Sequence, residues 1–162
     1  MKRFVFLYVL YLAIAFILVD YEPVRKFLRL EEYYNAFVTT LSAQIIQWLG
    51  IPVSAEANVL HLPHANMIIK FGCNGLEAIL IYLAGVLAYP ASWKDRIVWG
   101  LVGSVVLELL NFVRIAFLAW TVEHYPAYFN LMHEYVTQSI MIALAFLMFL
   151  FYLQRVSGDA KE

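Results

Sequence analysis

The sequence predicts an all-α integral membrane protein, a polytopic bundle of about four transmembrane helices with an outer interfacial helix and a small outer β-hairpin. Three observations predict it. Of the 162 residues, 64% are hydrophobic and 17% aromatic, and the mean hydropathy is +0.74. Charged residues make up 14%, where a soluble domain carries about 25%. The apolar residues gather into runs of helical length, separated by short charged or Pro/Gly-containing segments. No repeat, low-complexity run or Gly/Ser linker divides the chain, so residues 1–162 read as a single membrane domain. A net charge of −1 without a basic tract points away from a nucleic-acid partner.

Met1-Lys2-Arg3 precedes an unbroken apolar run from Phe4 to Val19. Asp20-Tyr21-Glu22-Pro23 follows instead of a small-x-small cleavage site, so the run reads as an uncleaved first membrane helix, about 4–19. At about 1.5 Å per residue it reaches the short limit for spanning, and Lys2 and Arg3 predict a cytoplasmic N-terminus. Asp20 to Glu32 mixes Arg25, Lys26 and Arg29 with Asp20, Glu22, Glu31 and Glu32 and reads as a solvated or interfacial turn of helix on the outer side. Three basic residues there run against the positive-inside tendency. Over about 34–49, Tyr34, Phe37, Val38, Leu41, Ile45, Trp48 and Leu49 form a helical stripe, with Asn35, Thr39 and Ser42 on the other face and Gln44 and Gln47 interrupting the run. A helix lying in the interface fits this pattern better than a spanning one, which would flip the side of every later segment.

Gly50-Ile51-Pro52 ends that helix. Strand-like runs at 59–62 and 67–71 flank Pro63-His64-Ala65-Asn66 and predict the outer hairpin. Further membrane helices follow at about 74–91, 97–120 and 136–153. Lys94 and Arg96 place the loop between the first two in the cytoplasm, and Thr121 to Leu131 reads as a short outer loop with Tyr125 and Tyr128 as interfacial aromatics. The last helix ends inside at Arg155, and the polar tail to Glu162 reads as mobile. Both termini are then cytoplasmic, in the inner (plasma) membrane.

This topology brings Cys73, Arg114 and His133 to one membrane face at similar depth. Cys73 is the single cysteine and makes no internal disulfide. A helix N-terminus, which Asn74 could cap, lowers a thiol pKa, and a fixed cation beside Cys73 would stabilise its thiolate. Gly72 and Gly75 leave room for a substrate backbone. By itself Cys73 is equally the small buried hydrophobe that most free cysteines are, although an outer, oxidising compartment weakens that alternative. Arg114 inside an apolar helix costs roughly 2.5–3.5 kcal/mol on insertion scales and keeps its charge. It either snorkels to the interface or, with Asn111 one turn earlier on its face, serves a polar interior site that stabilises a thiolate or an oxyanion. His133 has the chemistry to move a proton; His124 competes, but from a loop. Glu77 and Glu108 either orient these groups or form a structural ion pair in the bundle. His61 and His64 have no third ligand at a persuasive spacing, so neither a metal nor another cofactor is expected.

Cys73-Asn74-Gly75 at a helix mouth, Asn111-x-x-Arg114-Ile115 late in the next long helix and His133-Glu134 opening the last one form an ordered set. On this set, over about residues 59–151, the sequence resembles the exosortase/archaeosortase family of membrane cysteine transpeptidases. The resemblance implies a triad of Cys73, Arg114 and His133, around which Asn74, Gly75, Glu77, Glu108 and Asn111 would be supporting residues. It implies substrates that are exported proteins ending in a short motif, a membrane helix and a basic cluster. These would be cleaved near the start of that helix and passed through a Cys73 thioester to an acceptor at the cell surface. The chain is similar to the small single-module members, exosortase H among them, whose implied substrates carry an IPTL-type tail, and lacks the additional N-terminal helices of larger members. Gly85, Gly100, Gly103 and Ser104 are small enough for a substrate helix to dock closely. Two rivals stand beside this reading: simple hydrolysis by the same residues, and a non-catalytic membrane scaffold or small transporter subunit with a buried Arg/Glu network. A thiol redox carrier is disfavoured, because there is no second cysteine.

Overall fold

The computed structural model describes residues 2–22 and 30–159. The basic group Arg25, Lys26 and Arg29 and the last tail residues, 160–162, lie outside the described residues. The described chain is mostly helical: α1 (Lys2–Asp20), α2 (Leu30–Trp48), α3 (Leu76–Ala88), α4 (Trp93–His124) and α5 (Gln138–Asp159). Strands β1 (Ser54–Glu56), β2 (Val59–His61) and β3 (Asn66–Ile68) lie between α2 and α3. A 3-10 turn, Pro126–Tyr128, and a π-helical segment, Leu131–Thr137, join α4 to α5. Lys2–Val19, Trp93–His124 and Leu131–Ser157 are each long and apolar enough to cross a bilayer, and α3 is a shorter apolar helix.

Several element ends differ from the sequence expectation, each for a local reason. Helix α4 starts at Trp93 rather than near Ile97 because Ser92 caps it, its Oγ accepting from the Asp95 amide at 3.1 Å. It runs on to His124, where Pro126 stops it. At about 1.5 Å per residue its 32 residues reach about 48 Å, well beyond the hydrocarbon thickness of about 30 Å. The hairpin is in fact a three-stranded antiparallel sheet in the order β1-β2-β3, with Ser54 opposite His61 and Leu60 opposite Met67. Ala57-Asn58 makes the extra turn, with Ala57 at φ 52°, a residue that carries no turn signal in sequence.

Helix α1 packs antiparallel on α3. Phe4 stacks on Phe149 at 5.9 Å and meets Tyr89 edge-on, while Phe16 meets Phe71 edge-on at 5.8 Å. Helix α3 is the hub and touches α1, α4 and α5. Its contact with α4 is close because Gly103 faces the Tyr82 ring, where a Cβ would come within 2.2 Å. Gly85 likewise faces Phe149, and Gly100 faces Leu83. These small residues thus seat the protein's own helices, which corrects their assignment to a substrate helix.

Helix α2 turns its small polar residues toward the bundle. The stripe residues Phe37 and Trp48 face outward (Trp48 is 85% exposed), and Asn35, Thr39 and Ser42 are buried with Val38 and Ile46. Small polar side chains let α2 approach α4 closely. The interior therefore divides into two apolar cores. One joins α2, the sheet, Cys73 and the second half of α4, around Leu60, Ile69, Ile115 and Leu118. The other joins α3, the first half of α4 and α5, around Tyr82, Leu107, Met141 and Tyr152.

Candidate active site

A set of buried polar side chains borders the first core beside Cys73, which belongs to that core. Cys73 lies in a turn: the Lys70 carbonyl accepts from the Cys73 amide at 2.8 Å and the Asn74 amide at 3.0 Å. Gly72 at φ 87° and Gly75 at φ 81° let the chain reverse into α3. The helix cap is Gly75, and Asn74 supports it from one residue earlier, its Oδ1 accepting from the Leu76 amide at 3.1 Å. Asn74 Nδ2 donates to Asn35 Oδ1 of α2 at 2.7 Å, with both side chains buried. Gly75 lies directly on α4, where a Cβ would come within 2.8 Å of Asn111 and of Glu108 Oε2.

Arg114 belongs to this polar set and is 6% exposed. Its Nε donates to Thr137 Oγ1 at 2.9 Å, and its Nη1 donates to the Gly72 carbonyl at 3.3 Å. One guanidinium therefore ties α4, the Cys73 turn and the π-helical segment together. Its Nη2 is buried with no partner, as are Asn111 Oδ1 and Gln138 Oε1. An unpartnered buried polar atom costs about 1–3 kcal/mol.

Cys73 is 1% exposed. Burial pushes its thiol up, while Arg114 and Lys70 draw it partly back. Burial thus runs against the lowering expected from the helix N-terminus: desolvation outweighs the cations, and Cys73 lies two residues before the Gly75 cap. His133 sits in the π-helical segment, half-buried, with its ring stacked on Phe129 at 5.6 Å. Its carbonyl accepts from Thr137 Oγ1 at 3.3 Å, and Arg114 and Lys70 act on its imidazole as they act on the thiol. Cys73, Arg114 and His133 thus share one electrostatic neighbourhood. His124 is elsewhere, exposed at the end of α4, its Nδ1 3.0 Å from the Trp120 carbonyl and its ring against Trp120.

The carboxylates hold the frame. Glu77 Oε2 accepts from Gln138 Nε2 at 2.6 Å, and Glu108 Oε2 accepts from the Tyr34 hydroxyl at 2.6 Å. Asn111 Nδ2 approaches Glu108 Oε1 at 3.5 Å. Neither carboxylate forms an ion pair with Arg114 among the described residues. His64 pairs with Glu123 at 2.6 Å and latches the sheet to the end of α4, while His61 meets Asn66 at 2.9 Å. No group of three metal-ligating side chains occurs among the described residues. Sequence reasoning missed Thr137, Gln138, Asn35, Lys70 and the polar use of Tyr34. Thr137-Gln138 at the head of an apolar helix was the available signal.

A family model described as transmembrane exosortase (EpsH) matches residues 3–152. No curated protein and no solved structure matches the chain.

Proposed function

We infer the function from one premise: the chain belongs to the transmembrane exosortase family and is a membrane protein. The reading is a cysteine transpeptidase that cleaves the C-terminal sorting signal of exported proteins. The observation that carries it is the fork of Arg114, two of whose nitrogens are anchored beside Cys73 while buried Nη2 has no partner. An anchored cation with a free donor suits an oxyanion.

In this mechanism Cys73 Sγ attacks the scissile carbonyl and its proton passes to His133, since a thiol held above its ordinary range does not ionise beforehand. Arg114 Nη2 receives the oxyanion. The tetrahedral intermediate collapses to a thioester, and His133 returns the proton to the leaving amine. An acceptor nucleophile then gives its proton to His133 and attacks the thioester, and the Cys73 thiolate leaves and is reprotonated.

The proposed topology has four crossings, α1, α3, α4 and α5, with both termini cytoplasmic. From Trp93 to Arg114 is about 32 Å of helix, one hydrocarbon thickness, which supports a site at the outer interface. Helix α2 and the sheet then lie at or beyond that interface.

The test is reconstitution with a reporter that carries a motif, a membrane helix and a basic cluster. Cys73→Ala should abolish processing, and wild-type rates in that variant would sink the proposal. The mass of the new C-terminus, free acid or adduct, separates hydrolysis from transfer.

A further inference from the structure

At the end of the bundle away from Cys73, a cleft of about 430 Å³ opens between the start of α1 and the α3–α4 turn. That volume lies in the usual range for ligand sites, about 300–1,000 Å³. Two cations line it, Arg3 and Arg96, with apolar walls that include Leu7, Tyr11 and Leu87. Arg96 is held in place but not satisfied. Its Nη2 donates to the Tyr89 carbonyl at 3.0 Å and its guanidinium sits 5.2 Å from the Trp93 ring centroid, yet its Nε is buried without an acceptor. The adjacent acid, Asp95, is engaged with Ser92 at 2.6 Å.

Paired guanidinium groups prefer a planar or tetrahedral oxyanion that takes several N–H donors at once. Arg3, Leu7 and Tyr11 follow one another at helical spacing on the same face of α1, so the wall runs from the cations about 12 Å along the helix. Positive charge at one end and a lipophilic channel at the other match a phosphate with an attached acyl chain. Basic pockets between membrane helices take anionic head groups in this way.

We propose that this cleft binds one anionic phospholipid, its phosphate between Arg3 and Arg96 and an acyl chain along Leu7, Tyr11 and Leu87. The lipid belongs to the cytoplasmic leaflet under the orientation proposed above, whereas the binding itself depends on neither that orientation nor the catalytic reading.

The experiment uses the purified full chain, delipidated in neutral detergent and titrated with phosphatidylglycerol, phosphatidylcholine or inorganic phosphate. Native mass spectrometry counts retained lipid, and the melting temperature reports stabilisation. One phosphatidylglycerol should be retained, with phosphatidylcholine about fivefold weaker and no shift from inorganic phosphate. Arg96→Gln also loses the Tyr89 contact and risks misfolding, so Arg3→Gln and Leu87→Trp carry the test. The first should weaken phosphatidylglycerol about fivefold by removing one charge, and the second should weaken it by filling the channel. Equal retention of the two lipids overturns the proposal, as does wild-type affinity in either variant. A shift from inorganic phosphate equal to that from phosphatidylglycerol would mean a free-anion site and also overturns it.

Discussion

Replacing Arg114 by lysine keeps the charge and removes the fork. In the native chain Nε holds Thr137 at 2.9 Å and Nη1 holds the Gly72 carbonyl at 3.3 Å, so that in the proposed mechanism Nη2 is the donor to the oxyanion. A lysine ammonium is a single nitrogen on a flexible stem. It cannot hold both anchors and present a third donor. Loss of one oxyanion donor costs about 10²–10³ in kcat, equivalent to about 2.7–4 kcal/mol. The two anchoring bonds are each worth about 1.5–3 kcal/mol gross, but lysine also sheds the desolvation of a buried, unpartnered Nη2, so the net stability loss is smaller than their sum. Arg114→Lys should therefore insert and fold while losing two to three orders of magnitude in single-turnover conversion of the reporter. Cys73→Ala sets the zero, and maleimide titration of denatured protein sets the enzyme concentration. A folded Arg114→Lys enzyme within about threefold of wild type would refute the oxyanion role and leave Arg114 as a structural cation.

The Cys73 thiol, raised by burial, should label slowly with an impermeant maleimide at pH 7 and accelerate through and above its ordinary range of about 8.5. Lys70→Gln should move that profile further up, and a profile centred below pH 7.5 contradicts the burial argument. For the same reason the buried thiol stabilises the fold fully below its unfolded pKa and less as pH rises through the folded value. The melting temperature of wild type should then fall more than that of Cys73→Ala above about pH 8.5. Gly75→Ala combines a φ of 81° with a Cβ 2.8 Å from Asn111 and Glu108 and should lower stability by at least about 1–2 kcal/mol; a melting temperature unchanged from wild type contradicts the close approach. His133→Ala should lower turnover by about 10²–10⁴, while His124→Ala, which removes only a side chain at the Trp120 carbonyl, should stay within about twofold; the reverse ranking in the reporter assay would exchange the two histidines.

The membrane helices were legible because bilayer solvent imposes long apolar runs, and the polar interruptions at Asn111, Arg114 and His133 stood out against them. What was illegible depended on contacts. Asn58 alone is a weak turn signal and Ala57, which takes the positive φ, gives none, so β1 escaped notice. The apolar stripe of α2 did not say which of its residues meet the bundle: Phe37 and Trp48 face outward, and Asn35 reaches Asn74. Glycine spacing on α3 and α4 could not say which partner filled it, and the rings of Tyr82 and Phe149 did. The Ser92-x-x-Asp95 cap was readable in the sequence, but the charges around it suggested a loop instead.

A reactive thiol is usually exposed and ionised, whereas Cys73 is buried and burial pushes its thiol up. The two-core architecture accounts for this. The turn carrying Cys73 is bounded by Gly72 and Gly75 and is held from three sides, by Asn35 through Asn74, by Arg114 through the Gly72 carbonyl and by α4 beneath Gly75. Under the proposed mechanism a substrate reaching Cys73 would part the contacts that cover it, and only then would Nη2 of Arg114 find its acceptor, which would make reactivity conditional on docking. Under the proposed outward orientation and mechanism, that arrangement would limit adventitious oxidation, because the thiolate would form only beside the carbonyl to be attacked.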